Sequence, residues 1–156
     1  METSLQLRME HQPDALNYLL YALNDESVKQ RPDKDKWSIF ENLAHLGRYH
    51  EVFLQRMQRI LQEKDPLFER YSADPDEGFT EWCRNDLDHL MQKFTETRKT
   101  LNDFLFSLTK EQLKRSARHP VYGEMTINGW TEMFLLHEAH HYFTILKLIP
   151  QIIAPE

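Results

Sequence analysis

The chain of 156 residues has one cysteine, four glycines and seven prolines, and each scarcity excludes something. A lone Cys83 cannot close an internal disulfide and suits a reducing cytoplasm. So few glycines and prolines are poor material for a turn-rich β protein. No apolar run approaches the roughly 18 residues that span a bilayer. The opening Met-Glu-Thr-Ser has neither the basic nor the apolar region of a secretory leader. Basic residues are outnumbered, 19 against 25 acidic, for a net charge of −6, and no basic stripe of the kind that tracks nucleic acid is present. The run from Lys29 to Lys36 mixes Asp with Lys and Arg and reads as a solvated loop. No internal repeat or low-complexity segment appears. A cytoplasmic protein is expected, with neither a membrane nor nucleic acid as partner.

What is present is material for one core. Apolar residues are 40% of the chain and include nine Phe, six Tyr and three Trp, enough to fill a single domain over 1–156 without staples. Four stretches carry helical periodicity. Leu16, Leu19, Leu20 and Leu23 recur at i, i+3, i+4 and i+7, the spacing of one helix face, with Pro13 in the first turn or at a kink. Arg31-Pro32-Asp33 is a loop, because the residue before proline avoids helical angles. Ser38 followed by Glu41 is a capping box, so a second helix opens there and carries Ile39, Leu43, Leu46, Phe53, Met57 and Ile60 as its stripe. Residues 65–78 read as a connection. A third helix carries Leu87, Leu90, Met91, Phe94, Leu101, Phe104, Leu105 and Leu108. After a turn at 109–113 and a loop through His119-Pro120 and Gly123, the last helix starts near Thr126 and stops at Pro150, with Ile127, Trp130, Phe134, Ile145 and Leu148 inward. Four amphipathic helices make an all-α four-helix bundle.

The chemistry lies in Leu136-His137-Glu138-Ala139-His140-His141. At about 100° per residue, positions four apart share a face, so His137 and His141 point the same way and into the apolar arc. Two inward imidazoles in adjacent turns need partners, since an unbonded polar group is costly to bury. A divalent cation satisfies both, and imidazole suits zinc, nickel, copper and iron; two core histidines bonded to neighbouring helices are the plainer alternative. His137, Glu138 and His141 also spell the zincin signature, with Glu138 as base. That context is wrong: a zincin takes its third ligand downstream, and the segment after His141 holds no histidine and one acid, Glu156. A third ligand comes from upstream, where His45 and His50 are the candidates. Periodicity alone would choose His50, because the arc of the second helix centres near it while His45 lies towards its edge.

Taken together, Trp37-Ser38-Ile39-Phe40-Glu41-Asn42-Leu43-Ala44-His45-Leu46, the loop His119-Pro120-x-x-Gly123 and the pair His137-x-x-x-His141 resemble the DinB/YfiT-like family over nearly the whole chain. The resemblance implies a four-helix-bundle metalloprotein with the metal between the second and fourth helices and with His45, His137 and His141 as ligands. It also implies a choice of activities. Members of that family include thiol S-transferases using bacillithiol, mycothiol or glutathione, a mycothiol-dependent isomerase, and proteins described only as metal-dependent hydrolases.

Three neutral histidines leave a coordination position open, as catalytic sites do. The expected function is a metal-dependent enzyme on a small molecule, foremost a low-molecular-weight thiol S-transferase of bacillithiol type. A metal-dependent hydrolase and a non-enzymatic metal-binding or stress-response module are the alternatives. The expected cofactor is one divalent ion, zinc, nickel or iron, with the thiol as cosubstrate. The expected partners are a small-molecule substrate and, as the assembly, a homodimer. No side chain is assigned as a catalytic acid or base. Among the remaining candidates, His140 sits at the helix edge, and Glu41 could orient His45 as readily as cap its helix. Tyr49 and Tyr142 could line a pocket, Cys83 has no activating neighbour, and Arg98 on an apolar stripe either meets an anion or snorkels to solvent. A di-iron site would need more Glu-x-x-His pairs than the one starting at Glu138.

Overall fold

The computed structural model describes residues 1–153; Glu156, the acid noted downstream of His141, lies outside them. In chain order the elements are α1 (Thr3–His11), a 3₁₀ turn (Gln12–Asp14), α2 (Ala15–Leu19), α3 (Asp25–Lys29), α4 (Ile39–Gln62), α5 (Glu77–Cys83), α6 (Leu87–Phe106), α7 (Lys110–Leu113), strands β1 (Ser116–His119) and β2 (Gly123–Thr126), and α8 (Ile127–Ile153). The N-terminal helical stretch and the three long helices α4, α6 and α8 form the expected four-helix bundle. No helix among the described residues is long and apolar enough to cross a membrane.

Local chemistry explains the long helices. Ser38 Oγ accepts from the Glu41 amide and Glu41 returns a bond to the Ser38 amide, so two orphan donors of the first turn of α4 are satisfied. Asp86 caps α6 through the His89 amide. Every residue named for the stripe of α4 is buried, as are Ile127, Trp130, Phe134, Ile145 and Leu148 on α8.

The structure departs from the sequence reading in several places, among them the end of α2 at Leu19, before Leu20 and Leu23, and the short helix α3. The first helix is broken: Pro13 falls in the 3₁₀ turn, where its missing amide does no harm, and α1 and α2 flank it. The connection at 65–78 is partly ordered, with Phe68 N donating to Arg118 O (3.0 Å) and Arg118 N to Pro66 O (2.9 Å), and α5 begins within it. The loop around His119 is an antiparallel hairpin in which Ser116 pairs with Thr126 and His119 with Gly123; Gly123 takes φ 72°, a region that favours glycine. The last helix runs on through Pro150 to Ile153. Pro150 has no amide to give to Leu146, but only three described residues of the helix follow it, so the disruption is confined to the last turn.

α5 seats Trp82 against α4. A Cβ on Gly47 would overlap the Trp82 ring, so glycine is what permits that approach. The apolar core divides into two clusters, and the division falls at one level on all three long helices: Leu46 to Tyr49 on α4, Phe94 to Leu101 on α6, and Leu135 to Tyr142 on α8. The buried polar residues His50, Arg98 and Glu138 occupy that level.

Candidate metal centre

Three imidazoles converge where α4 meets α8. His45, His137 and His141 each offer a ring nitrogen, and these nitrogens lie within 4.8 Å of one another. His45 Nε2 stands 3.0 Å from His137 Nε2. His141 Nδ1 is held 2.8 Å from Asn42 Oδ1, which makes Nδ1 the protonated nitrogen and leaves Nε2 free as a lone pair. The Asn42 amide group in turn donates to Ser38 O (2.8 Å). Burial, followed by mutual repulsion, pulls the pKa values of all three rings down to about 3, so they are neutral at physiological pH.

The donor set fits one divalent cation. Two imidazole nitrogens bound at about 2.1 Å and roughly 90–110° apart are separated by about 3.0–3.4 Å, which includes the distance seen. Three largely buried rings aimed at one another have no carboxylate among them in the described residues, and a common cation is the partner that satisfies all three. The anchoring bond typical of a metal histidine is present for His141; Nδ1 of His45 and of His137 are buried without a protein partner among the described residues.

The rings stand on the wall of a cleft of about 540 Å³. Trp37 and Tyr71 flank His45 at ring-centroid distances of 5.0 and 5.7 Å, and Tyr49 lies 4.6 Å from His137. The hairpin brings His119 and Tyr122 to the cleft, and α4 and the 65–78 connection bring Arg56 and Arg70. Tyr71 donates its hydroxyl proton to Asp76 (2.8 Å), and burial followed by that bond raises its pKa. Among the described residues the acid lining the cleft is Asp74, which is exposed.

The other candidates go elsewhere. His50, 1% exposed against 6% for His45, faces away from the cluster, with Nδ1 3.1 Å from the Thr97 hydroxyl and Nε2 3.4 Å from Glu138 Oε1. Glu138 is fully buried and accepts a bidentate pair from Arg98 (3.0 and 3.1 Å) and a bond from Gln12 (2.7 Å), so it is not placed as a base beside the three histidines. Burial alone would raise its pKa, but His50, Arg98 and Gln12 together hold it below the usual value. Burial keeps His50 neutral. Since a carboxylate only accepts, the His50 proton sits on Nε2 and points at Glu138. Arg98 therefore meets an anion rather than snorkelling. Glu41 caps α4 and binds Arg31, away from His45. His140 is exposed, and Tyr142 is buried in the apolar core. Burial lifts the Cys83 thiol to about 11, helped by Glu41, so it is no nucleophile at neutral pH.

Asn42 and the cleft residues Arg56, Arg70 and His119 were not singled out as site residues by the sequence. A polar Asn42 one turn before His45, on a buried face, is the one local signal that could have been read.

Comparison with known proteins places this geometry. YuaE of Bacillus subtilis (strain 168), an uncharacterized protein, is 26% identical over 138 residues, 78% of this chain and 83% of its own. A protein of Oceanobacillus iheyensis, provisionally named a metal-dependent hydrolase, is 21% identical over 139 residues, 86% of this chain and 77% of its own. Among solved structures, YfiT of Bacillus subtilis superposes with a TM-score of 0.75 at 20% identity, over 93% of this chain and 83% of its own; it is described as a probable metal-dependent hydrolase with an unusual four-helix-bundle topology. The model of the DinB superfamily matches residues 8–145, and the chain belongs to that superfamily.

Proposed function

We propose that His45, His137 and His141 hold one divalent cation, zinc, nickel or iron, and that the protein is a metal-dependent enzyme transferring a low-molecular-weight thiol of bacillithiol type to a small electrophile in the cytoplasm. The cation would supply Lewis acidity that favours the anionic form of the thiol. The observation that carries the choice of reaction is the absence, among the described residues, of a carboxylate set beside the three histidines. Glu138 is committed to Arg98, and Asp74 is exposed. Activation of water is ordinarily assisted by a positioned base, whereas a thiolate is itself the nucleophile once its proton has gone to solvent. Its sulfur then bonds to the electrophilic carbon, and the leaving group departs with its electron pair. Trp37, Tyr71 and Tyr122 offer aromatic surface for the electrophile, and the cleft has the volume of a small-molecule site.

Hydrolysis is the second reading, favoured by the descriptions of the Oceanobacillus protein and of YfiT. Metal-replete protein incubated with thiols and an electrophile should consume both, and Cys83→Ser should retain full activity. Ester or amide cleavage without thiol, together with no thiol transfer, would make the protein a hydrolase. Neither activity with the metal site intact would make it a binding module.

Asn42 provides a separate check on the cation. Asn42→Ala removes the acceptor that orients His141 and should weaken metal affinity about ten- to a hundredfold. Competition with a chromogenic chelator measures this; unchanged affinity would leave Asn42 as no more than a partner of the Ser38 carbonyl.

A further inference from the structure

We propose that the cleft carries an anion subsite made by Arg56, Arg70 and His119, so that the molecule bound there presents a carboxylate or phosphate oxyanion to these residues while its reacting atom faces the three histidines. The proposal rests on the enzyme reading above and adds the chemical class of its substrate.

Uncompensated positive charge is the first observation. Most arginines of this chain pair with a carboxylate, among them Arg8, Arg48, Arg59 and Arg118. Arg56 and Arg70 both line the cleft, and neither has a carboxylate oxygen within 4.0 Å among the described residues. Arg56 is held by neutral partners instead. Its Nη1 donates to Tyr49 Oη (3.2 Å) and its Nη2 to Glu69 O (2.7 Å), and its guanidinium lies over the rings of Phe68 (5.5 Å) and Trp130 (6.0 Å). Among the described residues two of its five donors are used, so a held cationic fork with spare N–H groups lines the cleft. Among the described residues, Asp74 alone opposes these two charges in the lining.

His119 supplies the second, independent observation. The ring is 8% exposed, stacks on Tyr122 (4.6 Å) and meets Trp130 edge-on (5.6 Å). Its Nδ1 accepts the backbone amides of both Val121 (3.1 Å) and Tyr122 (3.2 Å). A nitrogen that accepts two amide protons carries none itself, so the neutral ring bears its proton on Nε2. That N–H has no protein acceptor among the described residues and belongs to a cleft-lining ring. Burial, then the nearby Arg56 and Arg70, disfavours a second proton, so His119 is a donor of fixed tautomer rather than a third cation. Donors without acceptors, beside unpaired guanidines, form a site for an oxyanion.

Isothermal titration of the protein with succinate and with inorganic phosphate, each with and without EDTA, tests the subsite without requiring turnover. At least one probe should bind in the presence of EDTA, and whichever binds more tightly identifies the oxyanion. Arg56→Gln and Arg70→Gln should each weaken binding about tenfold, the expected loss of one charged hydrogen bond. His119→Phe keeps the stacked ring and should cost about threefold or more. Arg84→Gln, an exposed arginine outside the cleft, should change nothing. Arg70 is exposed, so its variant folds whatever becomes of Arg56. Unchanged affinity in Arg56→Gln and Arg70→Gln, binding abolished by EDTA, or binding of neither probe would overturn the proposal. Binding that follows this pattern in a protein with no thiol transfer would sink the reaction proposed above and leave the subsite standing.

Discussion

One equivalent of divalent metal should be lost in His45→Ala, His137→Ala and His141→Ala, with all thiol transfer, and retained in His50→Ala. His45 Nε2 is 3.0 Å from His137 Nε2, whereas both nitrogens of His50 already face Thr97 and Glu138. Metal analysis of protein purified without a nickel column decides it. Metal kept in His45→Ala and lost in His50→Ala would move the site to the buried level of Glu138. Chelated wild-type protein should stay helical by circular dichroism at neutral pH, because two apolar clusters hold the bundle without the ion. Its stability should fall on acidification. The three imidazoles have folded pKa values near 3 against 6.5 for the free ring, so the unfolded chain binds more protons throughout that window. Stability is full above about pH 6.5 and is lost as pH drops towards about 3. Glu138, depressed below 4.5 in the fold, acts in the same direction at the acid end. Urea titrations of chelated protein at pH 7.5 and 5 measure the effect, and equal midpoints would show that the rings are not held neutral.

Breaking the buried pair of α6 and α8 should be the most destabilising single change away from the histidines. Arg98 is 4% exposed and Glu138 0%, and they share two hydrogen bonds. Arg98→Met leaves a buried carboxylate with Gln12 and His50 alone and should cost about 3–5 kcal/mol, a large part of the 5–15 kcal/mol typical of a domain. Glu138→Gln should cost a comparable amount by stranding the guanidinium. The double variant Arg98→Met with Glu138→Leu should recover much of the loss, because an apolar pair of similar volume needs no desolvation of charge. Urea midpoints give all three values. Additive losses in the double variant would show that the two side chains act independently. Because Arg98 Nε also donates to Met9 O (3.0 Å), Arg98→Met should in addition loosen α1 from the bundle, visible as faster amide exchange at its C-terminal end, and Glu138→Gln should not.

The apolar arc of α4 places His50 deeper than His45, and the burial in the structure agrees. The ring that meets His137 is nevertheless that of His45. Periodicity reports the distance of a side chain from solvent, averaged around one helix. A ring that must touch a second helix and also line a cleft sits at the edge of the apolar arc, and His45 does so. Arg98 shows the same limit: its stripe position announced burial, but its partner Glu138 lies forty residues away.

Features legible in the chain were those made by neighbours in sequence. The Ser38–Glu41 capping box, the stripes of α4, α6 and α8, and the shared face of His137 and His141 all follow from helix geometry over three or four residues. The kink expected at Pro13 is present as a break, whereas the hairpin and the helices α1, α3 and α5 were missed, because short elements are held by contacts with the bundle rather than by their own periodicity. The contacts that assemble the three histidines join distant parts of the chain, His45 with His137 across 92 residues and Asn42 with His141 across 99, as does the bond of Gln12 to Glu138 behind them, across 126. Which polar side chain meets which is set by how the helices cross once the apolar faces are buried. That is why three histidines came to share one point, Glu138 turned away from them, and two guanidines were left facing an open cleft.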